Sequence, residues 1–526
     1  MTSIRRQFKF AAAFAVALGL SAGTAAAATP LGAYSTKGSF SFVATPNLHP
    51  PKIRETLHTR ASKLGSGLFL MANFKDLTNP KPMIGQSGPL ILDNRLQPVW
   101  FKPTNINNLA TDLTVQTYNG KPALAWWEGV VSPTGATVSG TVNVVDQRYR
   151  KIASLSGDTK DGWVISPHES VVSGHTVWVT VYRNLPMDLS LQGGVSNGVL
   201  TDSGVQQYDL KTGKLLFTWT AFNPGGTPHI PLSASQAHPA SPAAVNAAGH
   251  VIPWDAYHIN SIQLIGSHTM LVSMRNTWAA YLVDTTTGNV IWTLSGKPSG
   301  AGGTFALPAG LGFEWQHMVR LLRGNRVSLF DDACCPNVGG VFKNPSGPSR
   351  GLVLQLDTTH NTASLAGSYP RAKNFDAAFL GSTELLSNGN VLVGWGSQPF
   401  FSVYSKSGKL LMDAALPSPD LSYRVVMQKW VGTPTYPPVG NVRQKHGRST
   451  VYASWNGATE VASWRVLAGK DSHHLAVVTT RTRTGFETSI SVPHRFKAYE
   501  VVALDGRGKA LGHSKLFPQQ VQFGGY

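Results

Sequence analysis

Leu282-Val283-Asp284-Thr285-Thr286-Thr287-Gly288-Asn289-Val290-Ile291-Trp292 is the stretch on which the fold turns. An apolar run ends in Asp, a Thr/Gly turn follows, and a second apolar run closes on an aromatic residue. That is the signature of a β-hairpin. The same order recurs along the chain. Leu90-Ile91-Leu92-Asp93 leads into Pro98-Val99-Trp100-Phe101, and Val144-Val145-Asp146 into Lys151-Ile152-Ala153. Tyr208-Asp209 passes through Lys211-Thr212-Gly213-Lys214 to Leu215-Leu216-Phe217. Leu354-Gln355-Leu356-Asp357 and Val403-Tyr404-Ser405, with Gly408-Lys409-Leu410-Leu411 behind it, complete six.

Before most of these lies a second hairpin turning on glycine. Val115 to Trp127 turns at Asn119-Gly120, and Val171 to Tyr182 at Ser173-Gly174. Ile262 to Met274 turns at Gly266, Val319 to Phe330 at Gly324-Asn325, and Glu384 to Trp395 at Asn388-Gly389. Two hairpins make four strands, and six four-stranded units predict a six-bladed β-propeller. The long period implies long loops, and an array of β-sandwiches is the alternative. The first unit lacks a front strand, so Leu421 to Trp430 is expected to pair into it and close the ring, removing the exposed edges of an open one. After Pro434, Pro437 and Pro438, the alternating stretches 451–455, 462–466, 476–478 and 498–502 predict a small immunoglobulin- or fibronectin-like β-sandwich.

Composition agrees with an all-β fold. Of 526 residues, 42% are hydrophobic, enough for a packed core, whereas only 14% are charged, against roughly 25% in an average protein. With Gly at 53 and Pro at 33, a helical bundle or coiled coil is excluded. The formal charge of +18 suits anionic partners such as sulfate esters, phosphate or acidic cell-wall polymer. No Lys/Arg run marks a nucleic-acid arm, so none is expected to bind.

The N-terminus reads as a secretory signal peptide over 1–27: Arg5-Arg6, an apolar run from Phe10 to about Leu20, then small residues to Ala28. Arg5-Arg6-Gln7-Phe8-Lys9 loosely matches a twin-arginine export signal. No later stretch reaches the ~18 apolar residues of a membrane span, so a secreted, periplasmic or cell-surface protein is expected. The expected organisation is a signal peptide (1–27), an N-terminal extension (28–66), the propeller (67–435) and the sandwich (440–526). Cell-wall contact is the role that suits the last unit. Cys334 and Cys335 are adjacent and form no disulfide framework; a strained vicinal disulfide and two buried thiols both stay open.

The first strand of a propeller blade lines the central channel. Reading back six to nine residues from each first-hairpin glycine yields Asp112, His168, His258, His317 and Ser382, and the closing strand offers Arg424. Any one histidine alone is most simply a core or surface residue. Register in consecutive units points to a shared site, where imidazole serves as nucleophile, general acid/base or cation. Zinc ligation by three histidines is a rival use, but no metal and no cofactor is expected. Gly347-Pro348-Ser349-Arg350-Gly351 matches Gly-x-Ser-x-Gly yet precedes a strand, the reverse of a nucleophile elbow.

Two stretches carry a resemblance. Asp255-Ala256-Tyr257-His258-Ile259-Asn260-Ser261-Ile262, with Arg275-Asn276-Thr277-Trp278, and Phe313-Glu314-Trp315-Gln316-His317, with Ser328-Leu329-Phe330-Asp331, resemble the arylsulfotransferase family of exported bacterial six-bladed propellers, in its actinobacterial and fungal branch. Ser349-Arg350-Gly351-Leu352-Val353-Leu354 and Asn388-Gly389-Asn390-Val391-Leu392-Val393-Gly394-Trp395 extend the match. The resemblance implies sulfuryl transfer from a small aryl sulfate donor to a phenolic acceptor through a sulfated histidine. His258 and His317 are the positions it carries over as catalytic. His168, Arg275, Asn260, Gln316, Arg350, Arg424 and Asp112 are expected to line the substrate. The late histidine of the better-studied branch has no counterpart in Gly394–Phe401, so His258 or His317 must be the nucleophile, or transfer is direct. The alternative is a catalytically lost propeller that binds an anionic or aromatic ligand or a cell-surface polysaccharide. Trp278, Trp315 and Tyr257 are candidates for stacking on aryl groups.

Overall fold

The computed structural model describes residues 34–518 apart from 78, 106, 132–136, 240–250, 334–347 and 372–374. The expected signal segment and the Cys334–Cys335 pair lie outside the described residues. The described residues are all-β, with only short 3-10 turns besides strands. No helix among the described residues is long and apolar enough to cross a membrane.

Six of the sheets are antiparallel meanders of four principal strands. Their first strands are β1 (Leu109–Tyr118), β2 (Val164–Ser173), β3 (Ile259–Ile265), β4 (His317–Leu322), β5 (Ser382–Leu385) and β6 (Asp420–Gln428). Each packs against the next, and β6 packs back against β1, so the six first strands close on themselves. The pairing expected of the late strand is present: Val426 of β6 lies opposite Leu70, and Gln428 opposite Leu68, in the strand Leu68–Lys75. Some strands lie outside the repeat pattern, among them the parallel pair Tyr34–Ser35 and Met83–Ile84 and the short Trp254–Asp255. Arg54–Leu57 adds a fifth strand to the sheet of β5 by pairing with Leu410–Ala415.

The recurring Asp has a local cause. Asp284 ends its strand and its Oδ1 accepts from the amides of Thr286 and Thr287 at 2.7 and 2.9 Å. Asp93, Asp146, Asp209 and Asp357 accept from amides two to four residues ahead in the same way. A carboxylate bonded to its own turn competes with ladder extension and reverses the chain. Hydrogen bonds from Thr212 and Thr287 hold Asp209 and Asp284 below the usual carboxylate range. Gly288, at φ 78°, supplies the left-handed step that ends the turn.

Apolar faces of neighbouring sheets meet in shared clusters. Trp127, Val144, Val177, Val179 and Tyr208 belong to one, and Leu271, Leu294, Val327 and Leu352 to another. Residues 439–513 form a three- and a four-stranded sheet around a separate core that includes Val451, Ile490, Trp464, Val466 and Tyr499. This unit is docked on the sheet that holds β6 and Leu68–Lys75, whose outer strand is Pro98–Phe101. The Asn456 side chain accepts from Phe101 N at 2.9 Å and donates to Phe101 O at 2.8 Å, capping that sheet's outer strand.

Candidate functional site

The strands that face one another around the centre are irregular where they need to be. In β1, β2, β3, β4 and β6 the pairing register skips between Thr111 and Thr114, Ile165 and Ser170, Ile259 and Ser261, His317 and Arg320, and Ser422 and Val425. Such a skip bends the strand and re-aims its side chains. Asp112, His168, Asn260 and Arg424 fall inside those skips, and His317 at the edge of one. His258 sits one residue before β3 in a left-handed conformation, φ 55°, where the Asp255 carboxylate accepts its amide at 2.9 Å.

Three imidazoles converge. One ring nitrogen from each of His168, His258 and His317 lies within 4.8 Å of the other two. His168 and His258 meet edge to face at 5.0 Å, and the Tyr423 ring lies 5.5 Å from His168 and 6.4 Å from His317. Each Nδ1 is already held. That of His317 is 2.8 Å from Asp332 Oδ2, and that of His258 is 2.5 Å from Asp255 Oδ2. His168 Nδ1 lies 3.2 Å from Ser166 Oγ and 3.4 Å from the Tyr182 hydroxyl. A carboxylate on Nδ1 fixes the proton there and leaves Nε2 with its lone pair. His317 Nε2 also accepts the Leu380 amide at 3.3 Å.

Exposure separates the three. His317 is fully buried and His168 nearly so, whereas the His258 side chain keeps 28% of its surface. Burial, with the nearby cationic groups, pulls His168 and His317 well below the ordinary imidazole range, so both are neutral at physiological pH. Arg275 adds a fixed positive charge felt by both. Its guanidinium lies 4.8 Å over the Trp315 ring and bonds the Asn276 side chain and Ala378 O, while its buried Nε has no partner among the described residues.

Beneath the histidines, Arg424 joins the first strands. Nη1 bonds Asp112 at 2.9 Å and lies 3.1 Å from Glu169; Nη2 reaches Asn260 O at 2.7 Å and the Tyr423 hydroxyl at 3.0 Å. Arg320 of β4 also pairs with Glu169. Asp112 and Arg424 thus spend their charge on each other. Desolvation pushes Asp112 up to about 7 against the pull of Arg424.

The other expected residues divide. Asn260 Nδ2 bonds Gln316 O at 2.7 Å, and Gln316 Nε2 bonds Ser273 Oγ, Met274 O and Ala279 O, so both amides fasten β3's sheet to the entry of β4. Arg350 bonds Asp331 and Gly312 O rather than an imidazole. Trp278 and Trp315 meet edge to face at 5.4 Å beside Arg275, while Tyr257 is buried in an apolar cluster with its hydroxyl on Ile230 O. Ser349 of the Gly-x-Ser-x-Gly match bonds Asp332 O and Ala377 N, a loop staple. Sequence reading by glycine offset missed Tyr182, Tyr423 and Glu169. Asp255, three residues before His258, was the readable signal among the histidines' partners.

Comparison with known proteins identifies the chain. The family model described as arylsulfotransferase (ASST) matches residues 114–416, which is more than half of the chain and includes all three histidines. The chain belongs to the arylsulfotransferase family. No curated protein sequence matches this arylsulfotransferase-family chain. Among solved structures it is similar to a Bacteroides caccae protein of unknown function at 10% identity, TM-score 0.38, over 68% of this chain and 98% of that one. It is also similar to the quinohemoprotein alcohol dehydrogenase of Comamonas testosteroni, at 14% identity and TM-score 0.27, over 78% of this chain and 64% of that one. The Dos1 propeller matches at 9% identity and TM-score 0.27, over 80% of each chain.

Proposed function

We propose that this protein is an exported aryl-sulfate sulfotransferase working at the His168–His258–His317 cluster. On this reading the six meanders are the blades of a closed propeller over 67–435, and 440–526 is an immunoglobulin- or fibronectin-like sandwich. The observation that carries it is the convergence of three imidazoles, brought from three separate sheets, beside Arg275 in a member of this family.

His258 is the nucleophile the geometry favours. It alone of the three keeps an open face, and Asp255 holds Nδ1 so that the Nε2 lone pair is free to attack. Attack forms an N–S bond while the aryl S–O bond breaks, and the phenolate departs with the electron pair. An acceptor phenol then attacks sulfur, the N–S bond breaks with its electron pair returning to His258 Nε2, and the phenol's proton passes to water. Charge growing on the equatorial sulfuryl oxygens is met by Arg275, fixed in place by its bonds before substrate arrives. Trp278 and Trp315 supply aromatic surface for the aryl groups.

The test is nitrophenol release from 4-nitrophenyl sulfate with and without phenol. Acceptor-dependent release is expected, lost in His258→Ala. In Asp255→Asn it should fall ~10²–10⁴-fold, the usual worth of a positioned acid–base partner. No release across several donors and acceptors would overturn the enzyme reading and favour a ligand-binding propeller.

A further inference from the structure

We propose that His168, His258 and His317 form a three-imidazole site for a zinc-class divalent cation, with the fourth coordination position open beside His258 and Arg275. The inference needs only the ring nitrogens and does not rest on sulfuryl transfer.

The arrangement of hydrogen bonds decides it. Nδ1 of His258 and of His317 each faces a carboxylate, and Nδ1 of His168 faces Ser166 and Tyr182. A histidine whose Nδ1–H is spent on an outer partner presents Nε2 as a lone pair, and three ring nitrogens lie within 4.8 Å of one another here. They suit a cation. Metal-binding histidines are oriented in just this way by carboxylates and hydroxyls behind them. Borderline-soft divalent ions of the zinc class favour imidazole nitrogen, and a catalytic site typically has three protein ligands and one open position.

The dimensions fit. Zn–N bonds of ~2.0–2.1 Å in a tetrahedron set nitrogens about 3.3 Å apart. The ligand atoms here lie within 4.8 Å of one another, so each ring moves inward by less than about 1 Å. The one bond in the way is the Leu380 amide on His317 Nε2, long at 3.3 Å. Asp255 and Asp332 offset the ion's charge, and Arg424 adds little, being bonded to Asp112 and Glu169. Arg275 remains, and its unpartnered Nε suits an anion bound at the open position. Among the described residues this is the one such cluster of His, Cys, Asp or Glu.

With the ion in place, His258 is a ligand, so transfer from a bound aryl sulfate to a phenol is direct. The acceptor O–S bond forms, the donor O–S bond breaks, and the acceptor's proton goes to the leaving phenolate. In the stripped protein His258 is free to attack.

Untagged full-length protein, stripped with a chelator, is titrated with Zn(II) and with Co(II). Metal retained after desalting is counted by elemental analysis, and the visible Co(II) band reports coordination. The expected result is one equivalent, a four-coordinate Co(II) spectrum, and at least 100-fold weaker binding in His258→Ala. Asp332→Asn should weaken binding ~10–100-fold through the ligand it orients, and the distant, exposed His360→Ala should not change it. His258 is partly exposed, so its variant stays foldable, which melting curves check. Failure to retain metal, or equal affinity in His258→Ala, overturns the proposal. Neither result touches the sulfotransferase reading, which nitrophenol release decides, whereas metal retained on His258 replaces its role as nucleophile with direct transfer.

Discussion

Arg424 is buried to 4% exposure, yet the groups around it come from several first strands: Asp112 of β1, Glu169 of β2 and the Asn260 carbonyl of β3. A buried guanidinium so paired is held charged, and its value is raised chiefly by Glu169 once desolvation is overcome. Arg424→Met keeps much of the volume but strands buried Asp112 and leaves Glu169 with Arg320 as its cationic partner. It should destabilise the protein by ~3–5 kcal/mol, read by denaturant unfolding; a change below ~1 kcal/mol would mean that the network carries no net weight. At this scale the sequence was partly readable. His168, His258 and His317 could be found because each stands at a similar offset from a hairpin glycine. Their partners could not, since Ser166, Tyr182 and Asp332 approach only through the register skips, which leave no compositional trace. Asn260 and Gln316 looked like ligand-binding amides, but main-chain carbonyls that no sequence pattern displays take up their N–H groups.

Strand by strand, legibility followed how strongly a pattern was forced. The Asp-ended hairpins and their glycine counterparts were plain, because a tight turn demands particular residues. Arg54–Leu57 was not: Arg-Glu-Thr-Leu has neither alternation nor aromatic content, and only the free edge of Leu410–Ala415 makes it a strand. β6 was readable as a strand without a partner, and its first residue has a measurable consequence. The Asp420 carboxyl accepts the Ile84 amide at 2.8 Å, and burial pushes it up to about 8. An unfolded Asp titrates near ~3.9. A folded value raised in this way gives stability that is full below the unfolded value and is lost as pH rises toward the folded one. The slope from this group is at most ~1.4 kcal/mol per pH unit between about 4 and 8. Asp420→Asn should therefore gain melting temperature on the wild type as pH rises from 5 to 8. Parallel curves would show that the carboxyl is ionised without penalty.

At the scale of the whole molecule, the C-terminal unit is attached through a few specific bonds. The Tyr149 hydroxyl donates to Gly457 O at 2.8 Å and accepts from Trp430 Nε1 at 2.9 Å, while its ring stacks on Trp100 at 5.1 Å. Asn456 fills the hydrogen-bonding edge at Phe101. Removing a partner from a buried bond costs about 1–3 kcal/mol. Asn456→Ala and Tyr149→Phe should each hasten proteolytic cleavage in the connection 431–438 while leaving the sulfuryl-transfer assay unchanged. Cleavage at the wild-type rate in the double variant would show that apolar contact alone docks the unit. Pro434, Pro437 and Pro438 and the alternating stretches after them led to the expectation of a second unit; nothing in them announced that one asparagine side chain would imitate a strand.

The join between β6 and Leu68–Lys75 also sets an order of events. During vectorial synthesis, the intermediate meanders can finish as they emerge, but the sheet begun by Leu68–Lys75 waits with a bare edge until Gln428 has cleared the exit. Arg424 and Tyr423 arrive on that same late segment, so a prematurely terminated chain would have its histidines but not the floor beneath them.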